Sequence, residues 1–286
     1  MSFILVVGNA TFDTLSVVDH YPREDEELRA VQQWTDCGGN AINTLKVLTN
    51  NRHRCDFVGV VAQDHLAPML IQRLQQQGIG LQYMQIAQGQ TPQSHILLNQ
   101  QTGSRTIVHH RDLPELAAET LRAIPVEHYD WLHFEGRNVE QLAAMLHYAR
   151  DTLIDQPISL ELEKVRDGLE ALVPLADIAL FSRDYAQTCG FHDAKSFLQH
   201  QQQQHGAMWM TCTWGAQGAW AIDQLGEVFH APAPRVTVVD SSGAGDGFNA
   251  GLIHALVTGR TLAEALHYAV DVASRKVQQY GFAELI

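Results

Sequence analysis

Residues 238–251 read VVDSSGAGDGFNAG, and this stretch decides more about the fold than any other part of the chain. A short β-branched run gives way to small residues, and an apolar pattern follows in which Phe248, Leu252 and Leu256 share one face of a helix that should end near Gly259. Glycines expose backbone amides, and a helix start carries about half a positive charge. The segment therefore predicts an anion-binding site between a strand and a helix.

A carboxylate lies at the rim of this predicted anion site. Asp246 would repel an anionic ligand, so a carboxylate here indicates a chemical role. The simplest role is that of a general base, which accepts a proton from a hydroxyl group that attacks a bound phosphate. The alternative is that Asp246 only caps the helix, a position where aspartate is common. The residues of this stretch leave both interpretations open.

Length and charge limit the classes of function. The chain has 286 residues, 45% of them hydrophobic, which suits one large α/β domain or a core with a small appendage. Its 19 basic and 32 acidic side chains give a net charge of −13, which disfavours non-specific binding to nucleic acid or to anionic membranes. Any phosphate site must therefore be built locally, from amides, an arginine or a metal.

The cysteines and the first residues favour a cytoplasmic location. No stretch approaches the length of a membrane span, and the chain opens on a short strand without a basic leader. The four cysteines are far apart and form no C-x-x-C pair, which is typical of free thiols in a reducing compartment: Cys37, Cys55, Cys189 and Cys212. The 15 histidines show no metal-ligand spacing.

The order of elements predicts an α/β fold. Residues 3–7 are apolar without alternation, as in a central strand, and further strands are expected at 55–61, 131–134, 158–162, 178–181, 208–213 and 219–222. Helices lie between most of them, and the last helix should run from 262 to about 279. This alternation indicates a mostly parallel central sheet sandwiched by helices in a single domain spanning 1–286. Two β segments, about 14–36 and 93–112, interrupt it and should form a small lid or dimerisation sheet.

A candidate binding site for a polyol lies near the N-terminus. Asp13 follows the first strand, at the carboxyl edge of the sheet where ligands collect in open α/β folds. Gly39, Asn40 and Asn43 lie on one side of a helix start, and a set of carboxylate and amide groups suits neighbouring hydroxyls. The alternative is that Asn40 caps its helix and Asn43 faces water.

Other polar groups follow strands along the chain. Arg105 precedes an apolar strand and could contact a phosphate, although most such arginines are surface charges. Glu135 and Arg137 follow one strand and could instead form an ion pair with each other. The turn 215–218 follows another strand, and its two glycines suit either a nucleotide contact or a plain tight turn. The P-loop motif G-x-x-x-x-G-K-[ST] does not occur. The dinucleotide-binding motif G-x-G-x-x-G does not occur either, which disfavours a dehydrogenase.

Two of these motifs resemble known signatures. Gly38-Gly39-Asn40 with Asn43, together with residues 243–246, GAGD, resemble the two signatures of the ribokinase-like (pfkB) carbohydrate kinases. Within that family the chain is most similar to the ketohexokinase group, in stretches that occur in the same order over nearly the whole chain: YPRED at 21–25, RTIV at 105–108, WLHFEGRN at 131–138, FSRD at 181–184 and CTW at 212–214.

The resemblance implies ATP-dependent phosphorylation of a ketose, most simply fructose at its 1-hydroxyl, with Mg²⁺ as the metal. It implies Asp246 as the base, and the amides of Gly243, Ala244 and Gly245 as the anion hole. The implied sugar ligands are Asp13, Gly39, Asn40 and Asn43. The implied nucleotide contacts are Arg105, Gly215, Ala216, Gln217, Gly218, Ala273 and Val277, the last two beside the adenine.

The resemblance also implies a homodimer in which the β lids of two subunits clasp and Asp25 reaches the neighbour's sugar. Two positions depart from related patterns. Residues 182–185, SRDY, stand where many relatives have N-x-x-E, so the metal ligands are not assigned, and Ala216 stands where a glutamate is expected. The alternatives are a kinase for another alcohol, such as a 6-hydroxyl fructokinase, a ribokinase or a nucleoside kinase, or a non-catalytic sugar or nucleotide sensor on the same fold.

Overall fold

The structure is a computed structural model that describes residues 1–206, 208–283 and 285. Its strands are β1 Phe3–Val7, β2 Thr11–Val18, β3 Gln32–Gly38, β4 Arg54–Val58, β5 Val60–Ala62, β6 Ile79–Gly80, β7 Gln85–Ala87, β8 Gln90–Asn99, β9 Arg105–Asp112, β10 Trp131–Glu135, β11 Ile158–Leu162, β12 Ile178–Phe181, β13 Trp209–Thr213, β14 Ala219–Ile222 and β15 Val228–Ala231. Its α-helices are α1 Asn40–Asn50, α2 Ala67–Gln76, α3 Ala118–Arg122, α4 Val139–Thr152, α5 Arg183–Thr188, α6 Ala194–His205, α7 Ala244–Val257 and α8 Leu262–Lys276.

The main sheet has nine strands in the order β15-β14-β13-β12-β11-β10-β1-β4-β6. Strands β13 to β6 in this order pair in parallel, and β14 and β15 add an antiparallel edge. The predicted α/β fold with a mostly parallel sheet is therefore confirmed. Strand β15 was not predicted; it is a half-exposed strand of four residues at the sheet edge.

Helices cover both faces of this sheet. Strand β1 shows why: Leu5 and Val7 point into one apolar layer, and Ile4 and Val6 point into the other. Successive side chains of a strand face opposite sides, so an unbroken apolar strand needs two buried faces. Helices α4 and α6 contribute to the first layer, and α1, α7 and α8 to the second.

The predicted strand at 55–61 is divided at Gly59, which corrects that prediction. The chain ends β4 at Val58 and starts β5 at Val60, which leaves the main sheet and pairs with β7. Gly59 permits this change because a Cβ there would lie 2.2 Å from the Phe57 ring and 2.4 Å from the Gly8 carbonyl oxygen. The predicted last helix also ends earlier, at Lys276.

Four strands form the small second sheet, in the order β3-β2-β8-β9. Its outer pairs are antiparallel hairpins, as expected for the segments 14–36 and 93–112, and β2 and β8 join them in parallel. We call this sheet the lid. Its last strand, β9, is exposed along nearly its whole length. Within the ranges that the structure describes, no helix is both long enough and apolar enough to span a membrane.

Candidate active site

A cleft of about 1050 Å³ lies between the lid and the carboxyl edge of the main sheet. This volume is at the upper end of the usual range for small-molecule sites, roughly 300–1,000 Å³, and leaves room for two substrates. It is lined by residues from β2, α1, β9, β10, β11 and the start of α7. The residues that the sequence singled out at opposite ends of the chain therefore meet in one cleft.

The start of α7 presents free backbone donors to this cleft. Gly243 precedes the helix in a left-handed conformation with φ of +70°, and no side chain caps the helix end. Within the described part of the chain, the amides of Gly243, Ala244 and Gly245 donate no hydrogen bond. Unsatisfied amides at a helix start, together with its partial positive charge, are typical of anion-binding sites. That these three amides bind an anion stays a prediction.

The glycines of this loop have different physical roles. A Cβ on Gly243 would lie 2.3 Å from the ring of Phe282, and its positive φ already favours glycine. By contrast, a Cβ on Gly245 would meet no protein atom within 4 Å. Protein packing does not explain why residue 245 lacks a side chain. The space in front of it is open to a ligand.

Asp246 is buried beside these amides, with 6% of its surface exposed. Its Oδ2 accepts a hydrogen bond of 2.8 Å from Nδ2 of Asn43, which orients the carboxyl group. Burial raises the pKa of Asp246 to about 7, since the charged form loses its water, and the nearby carboxylates of Glu163 and Glu135 act in the same direction. A carboxyl group with this pKa suits a general base near neutral pH.

The alternative role of Asp246 as a helix cap does not hold. The cap position belongs to Gly243, and Asp246 is the third residue of α7. A capping carboxylate accepts from amides of the first turn, as Asp193 does from the Ser196 amide at 2.8 Å at the start of α6. The carboxyl group of Asp246 is instead bonded to Asn43 on another helix.

Asp13 lies on β2 at the lid side of the cleft. It is largely buried, and its Oδ1 accepts a hydrogen bond of 2.7 Å from Oγ1 of Thr11. Burial raises its pKa, which hydrogen bonds from Thr11 and Ser94 partly offset. Gly38 makes room for it, because a Cβ there would lie 1.8 Å from Oδ2 of Asp13. The first glycine of the G-G-N motif is thus explained by a carboxylate that the cleft requires.

Asn40 and Asn43 both point into the site, which rules out the alternative that they cap a helix or face water. The helix cap is Gly39, with φ of +95°. Nδ2 of Asn40 lies 3.2 Å from Oε1 of Glu161 and 3.2 Å from Oε2 of Glu163. Both asparagines therefore bind carboxylates that border the cleft.

Glu161 was missed by the sequence analysis. It is 5% exposed at the end of β11, and Oε1 accepts hydrogen bonds from Asn40 and from Asn249, the latter at 3.1 Å. Its Oε2 is buried without a partner in the described structure. Burial, more than the nearby Asp246, raises the pKa of Glu161 well above its usual range. The available signal was a charged residue inside the predicted buried strand ISLEL.

Arg105 extends from the lid to residues 240–245, which lead into α7 and which we call the phosphate loop. Its Nη1 lies 3.2 Å from both the carbonyl oxygen and Oγ of Ser241, and Gly103 in the same hairpin accepts a bond of 3.2 Å from the Ser241 amide. The guanidinium group also lowers the pKa of Asp246. Arg105 is therefore not an isolated surface charge.

The turn 215–218 borders the cleft, although its glycines have a structural explanation. Gly218 has φ of +91°, and a Cβ there would lie 2.0 Å from the carbonyl oxygen of Ala231. Gly215, Ala216 and Gly218 line the cleft, as do the residues of α8 and its end that the resemblance implied, Ala273 and Val277. Within the described ranges, Gln217 and Asp25 are not among the lining residues. Asp25 is exposed in the turn between β2 and β3, with φ of +60°.

Glu135 and Arg137 form only a long ion pair, with 3.8 Å between Oε1 and Nη1. The other Glu135 oxygen, Oε2, accepts a hydrogen bond of 2.9 Å from the amide of Asn9. Burial raises the pKa of Glu135, and Arg137 partly offsets this. Both side chains line the cleft, so their pairing does not remove them from the site.

Comparison with known proteins gives a consistent result. The family model described as "pfkB family carbohydrate kinase" matches residues 1–285. The chain is 35% identical to ketohexokinase of Mus musculus, over 99% of this chain and 98% of that protein. It is 25% identical to ribokinase of Bacillus subtilis, over 98% of this chain and 94% of that protein.

Solved structures agree in fold. The structure of Arabidopsis thaliana ribokinase complexed with ribose and ATP superposes with a TM-score of 0.81 at 20% identity, covering 100% of this chain and 95% of that one. The matches by sequence and by fold both extend along nearly the whole chain. The protein is a carbohydrate kinase and belongs to the pfkB family.

Proposed function

We propose that this protein transfers the γ-phosphoryl group of ATP to the primary 1-hydroxyl of a ketose, with fructose as the leading substrate. The relationship to mouse ketohexokinase, at 35% identity over nearly the whole of both chains, supports a ketose over other sugars. The lining of the cleft by carboxylate and amide groups suits a polyhydroxylated ligand. The expected product is fructose 1-phosphate.

The observation that carries this proposal is the pairing of Asp246 with the open helix start. The sugar hydroxyl donates its proton to the Asp246 carboxylate while its oxygen attacks the γ-phosphorus, and the bond to the leaving ADP oxygen breaks. Charge on the transferred group is stabilised by the amides of Gly243, Ala244 and Gly245 and by the Arg105 guanidinium. Asn43 holds the carboxyl group through its bond of 2.8 Å.

The sugar would lie beside the polar residues that the sequence predicted as a polyol site. Asp13, Asn40 and Asn43, with the Gly39 backbone, are the proposed sugar ligands. The adenine would lie beside Ala273 and Val277 and the turn 215–218, because these residues line the same cleft as the phosphate loop. Gln217 is the one proposed nucleotide contact that does not line the cleft in the described chain.

The residues present also suit Mg²⁺. Among the described residues, no group of three acidic, histidine or cysteine side chains could cage a metal. Mg²⁺ is commonly bound by one or two carboxylates together with substrate phosphates and water, so no such cage is required. Glu163 and Asp184 line the same cleft as the phosphate loop and would supply these oxygens. When bound, the ion would neutralise charge on the phosphates.

A panel of acceptors tests the substrate proposal. Purified protein is assayed for ADP release with fructose, ribose, a nucleoside and fructosamine, and the product is examined by phosphorus NMR. We expect the highest kcat/KM with fructose and phosphorylation at its 1-hydroxyl. Phosphorylation at the 6-hydroxyl, or preference for ribose or a nucleoside, would support one of the other alcohol kinases. Absence of ATP turnover with every acceptor of the panel would support the non-catalytic sensor alternative.

Asp246 can be tested against a matched helix-start aspartate. Asp246→Asn should fold normally and lose orders of magnitude in kcat, because amide nitrogen and oxygen cannot accept the hydroxyl proton. Asp193→Ala removes a true cap and should cost about 1 kcal/mol of stability while the kinetics stay normal. Near-normal turnover in Asp246→Asn would contradict its role as the base.

We also propose that two copies clasp through their lids. Asp25 does not line its own cleft within the described chain, yet it lies on an exposed turn at the edge of the lid. In a clasped dimer this carboxylate would reach the sugar of the other subunit. Asp25→Asn should then raise the KM for sugar while ATP binding is unchanged. An unaltered KM for sugar would contradict this contribution.

A further inference from the structure

Lys276, the last residue of α8, is a buried charge that the mechanism above does not use. Its surface is fully buried, which is rare for lysine. Three oxygen atoms surround the ammonium group: Oδ2 of Asp240 at 2.9 Å, the Asp240 carbonyl oxygen at 3.2 Å and the Gln279 carbonyl oxygen at 3.5 Å. A cation taken out of water needs such compensation.

Asp240 connects this ammonium group to the phosphate loop. While Oδ2 binds Lys276, Oδ1 accepts a hydrogen bond of 2.8 Å from the Ser242 amide. The end of α8 adds two further bonds, because the Val277 carbonyl oxygen accepts from the amides of Val239 at 2.7 Å and Asp240 at 3.1 Å. The backbone leading into the anion site is therefore held from behind by α8 and its lysine.

Lys276 also contacts the start of α7 and the ring beside it. A Cβ on Gly247 would lie 3.7 Å from Cβ of Lys276, so the lysine stem packs against the first turn of α7. The ammonium nitrogen lies 5.3 Å from the ring centroid of Phe282. That same ring fills the space beside Gly243. One lysine thus touches the loop, the helix start and the ring that covers the first glycine.

Lys276 affects the site through its charge as well as through its packing. Burial lowers the pKa of Lys276, and the Asp240 and Asp246 carboxylates partly offset this, while the Arg105 guanidinium group lowers the pKa further. The ammonium group is therefore within electrostatic range of the reacting groups. A buried charge is screened far less than an exposed one. A positive charge behind the free amides of α7 adds to the potential that attracts phosphoryl oxygens.

We propose that Lys276 is a positioning residue for phosphoryl transfer: its tethered ammonium group holds residues 240–245 in the geometry that receives the transferred phosphoryl group, and supplies fixed positive charge behind it. This inference rests on the proposed function, because it assigns the loop to that step. A purely structural ion pair would stabilise the fold without affecting turnover in the folded protein.

Removing the side chain leaves a cavity that a small cation can enter, which gives a direct test. Lys276→Ala is assayed in ammonium, methylammonium and tetramethylammonium chloride at equal ionic strength. We expect kcat in tetramethylammonium to fall on the order of 10²-fold, as for a misplaced reacting group, with the KM for sugar little changed. Ammonium and methylammonium should raise the kcat of Lys276→Ala severalfold above its value in tetramethylammonium, with wild type in the same salts as the reference. Both cations should also raise the melting temperature of the variant.

The other buried lysine of this region provides the matched control. Lys46 is 4% exposed, and its ammonium nitrogen lies 5.5 Å from the centroid of the same Phe282 ring. Its ion pair, however, is with Asp36 on β3 of the lid, at 2.8 Å, and not with the phosphate loop. Lys46→Ala should lose stability and show no cation-dependent kcat. A Lys276→Ala protein with normal kcat, or with kcat equally low in all three salts, would overturn the proposal.

A double variant keeps the test valid if Lys276→Ala fails to fold. Lys276→Met with Asp240→Asn removes both charges, retains the volume, and leaves an amide oxygen to accept from Ser242. Replacing a buried pair in this way is often neutral for stability. We expect a folded protein whose kcat stays low, and a normal kcat would overturn the proposal. The melting-temperature response of Lys276→Ala to ammonium does not depend on kinase activity, so it separates failure of this inference from failure of the proposed function.

Discussion

Asp246 is the residue at which the pH dependence of catalysis should be set. Burial raises its pKa to about 7, and a base must be deprotonated to accept the hydroxyl proton. We therefore expect kcat/KM for the sugar to rise with pH, with a midpoint at about 7, and to level off above it. A profile measured with several overlapping buffers checks this. A flat profile down to about pH 5 would mean that the base has the pKa of an ordinary carboxyl group.

The same burial should cost the free protein stability. Because the pKa of Asp246 is 3.8 when unfolded and about 7 when folded, the native state binds this proton more tightly. The associated stability is complete below the unfolded pKa and is lost as the pH rises through about 7. Asp246→Asn carries no such charge, so it should be more stable than wild type at about pH 8, by on the order of 1–4 kcal/mol.

Urea unfolding at two pH values measures this difference. The gain of Asp246→Asn should shrink as the pH falls and vanish below the unfolded pKa of 3.8, where the wild-type carboxyl group is protonated in both states. A variant that is less stable than wild type at alkaline pH would show that the carboxylate stabilises the fold.

The two glycines that flank Ala244 should respond differently to alanine. Gly243→Ala forces a side chain into the Phe282 ring at positive φ, so it should lose stability. Gly245→Ala meets no protein atom, so it should unfold at the wild-type temperature. Its methyl group would stand where phosphoryl oxygens bind, and kcat should fall on the order of 10²-fold. Kinetics and thermal unfolding of both variants test this, and a fully active Gly245→Ala would contradict the assignment of this space.

At the scale of elements, the end of β11 joins the two helix starts of the site. Glu161 accepts hydrogen bonds from Asn40 on α1 and Asn249 on α7, while Glu163 binds only Asn40 of this pair. Burial raises the pKa of Glu161 well above its usual range, and the nearby Asp246 carboxylate acts in the same direction. Burial also raises the pKa of Asp246, and Glu163 adds to that rise. Glu161 and Glu163, separated by one residue, therefore differ in the helices to which they are bonded.

Charge-neutral variants test the two carboxylates separately. Glu163→Gln removes a negative neighbour, so the midpoint of the pH profile of kcat/KM should move to lower pH. Glu161→Gln tests whether Glu161 carries a charge beside Asp246. A midpoint that stays at the wild-type value would mean that Glu161 is neutral, and a shift to lower pH would mean that it is ionised.

The sequence pattern predicted the limits of strands that are buried along their whole length. It was less accurate where contacts between distant residues set the limits of an element. Strand β11 and strand β12 match their predicted limits because every residue in each is buried. The division of the predicted strand at Gly59 depends on the Phe57 ring and the Gly8 carbonyl, which only the folded chain brings together. The same limit applies to the early end of α8, where the Val277 carbonyl bonds the incoming loop.

At the scale of the whole molecule, the site is assembled from distant parts of the chain. Asn43 and Asp246 are 203 residues apart and form one hydrogen bond. Their motifs were visible in the sequence because glycines and polar groups stood out at predicted strand ends. Glu161 and Lys276 were not found, because a single charged residue within an apolar strand or helix does not reveal its partners. Their roles follow from three-dimensional contacts alone.

The outer face of the lid should decide the oligomeric state. Side chains alternate along β9, so Ile107 lines the cleft while Val108, 67% exposed, faces away from it. Val31 is 56% exposed in the segment that leads into β3. Exposed apolar side chains on an edge strand favour pairing with another copy. We therefore expect wild-type protein to sediment as a dimer of its 31.8 kDa chain.

Val108→Lys should shift this equilibrium to the monomer, because it buries an unpaired charge in the clasped form. Leu225, 92% exposed in the turn between β14 and β15, offers a matched control, and Leu225→Lys should remain a dimer. If Asp25 completes the neighbour's site, the monomeric Val108→Lys protein should show the same raised KM for sugar as Asp25→Asn. Sedimentation velocity and kinetics at matched protein concentrations test both points. A wild-type protein that sediments as a monomer, and whose KM for sugar does not change on dilution, would contradict the clasped arrangement. The role of Asp246 as the base would be unaffected by that result.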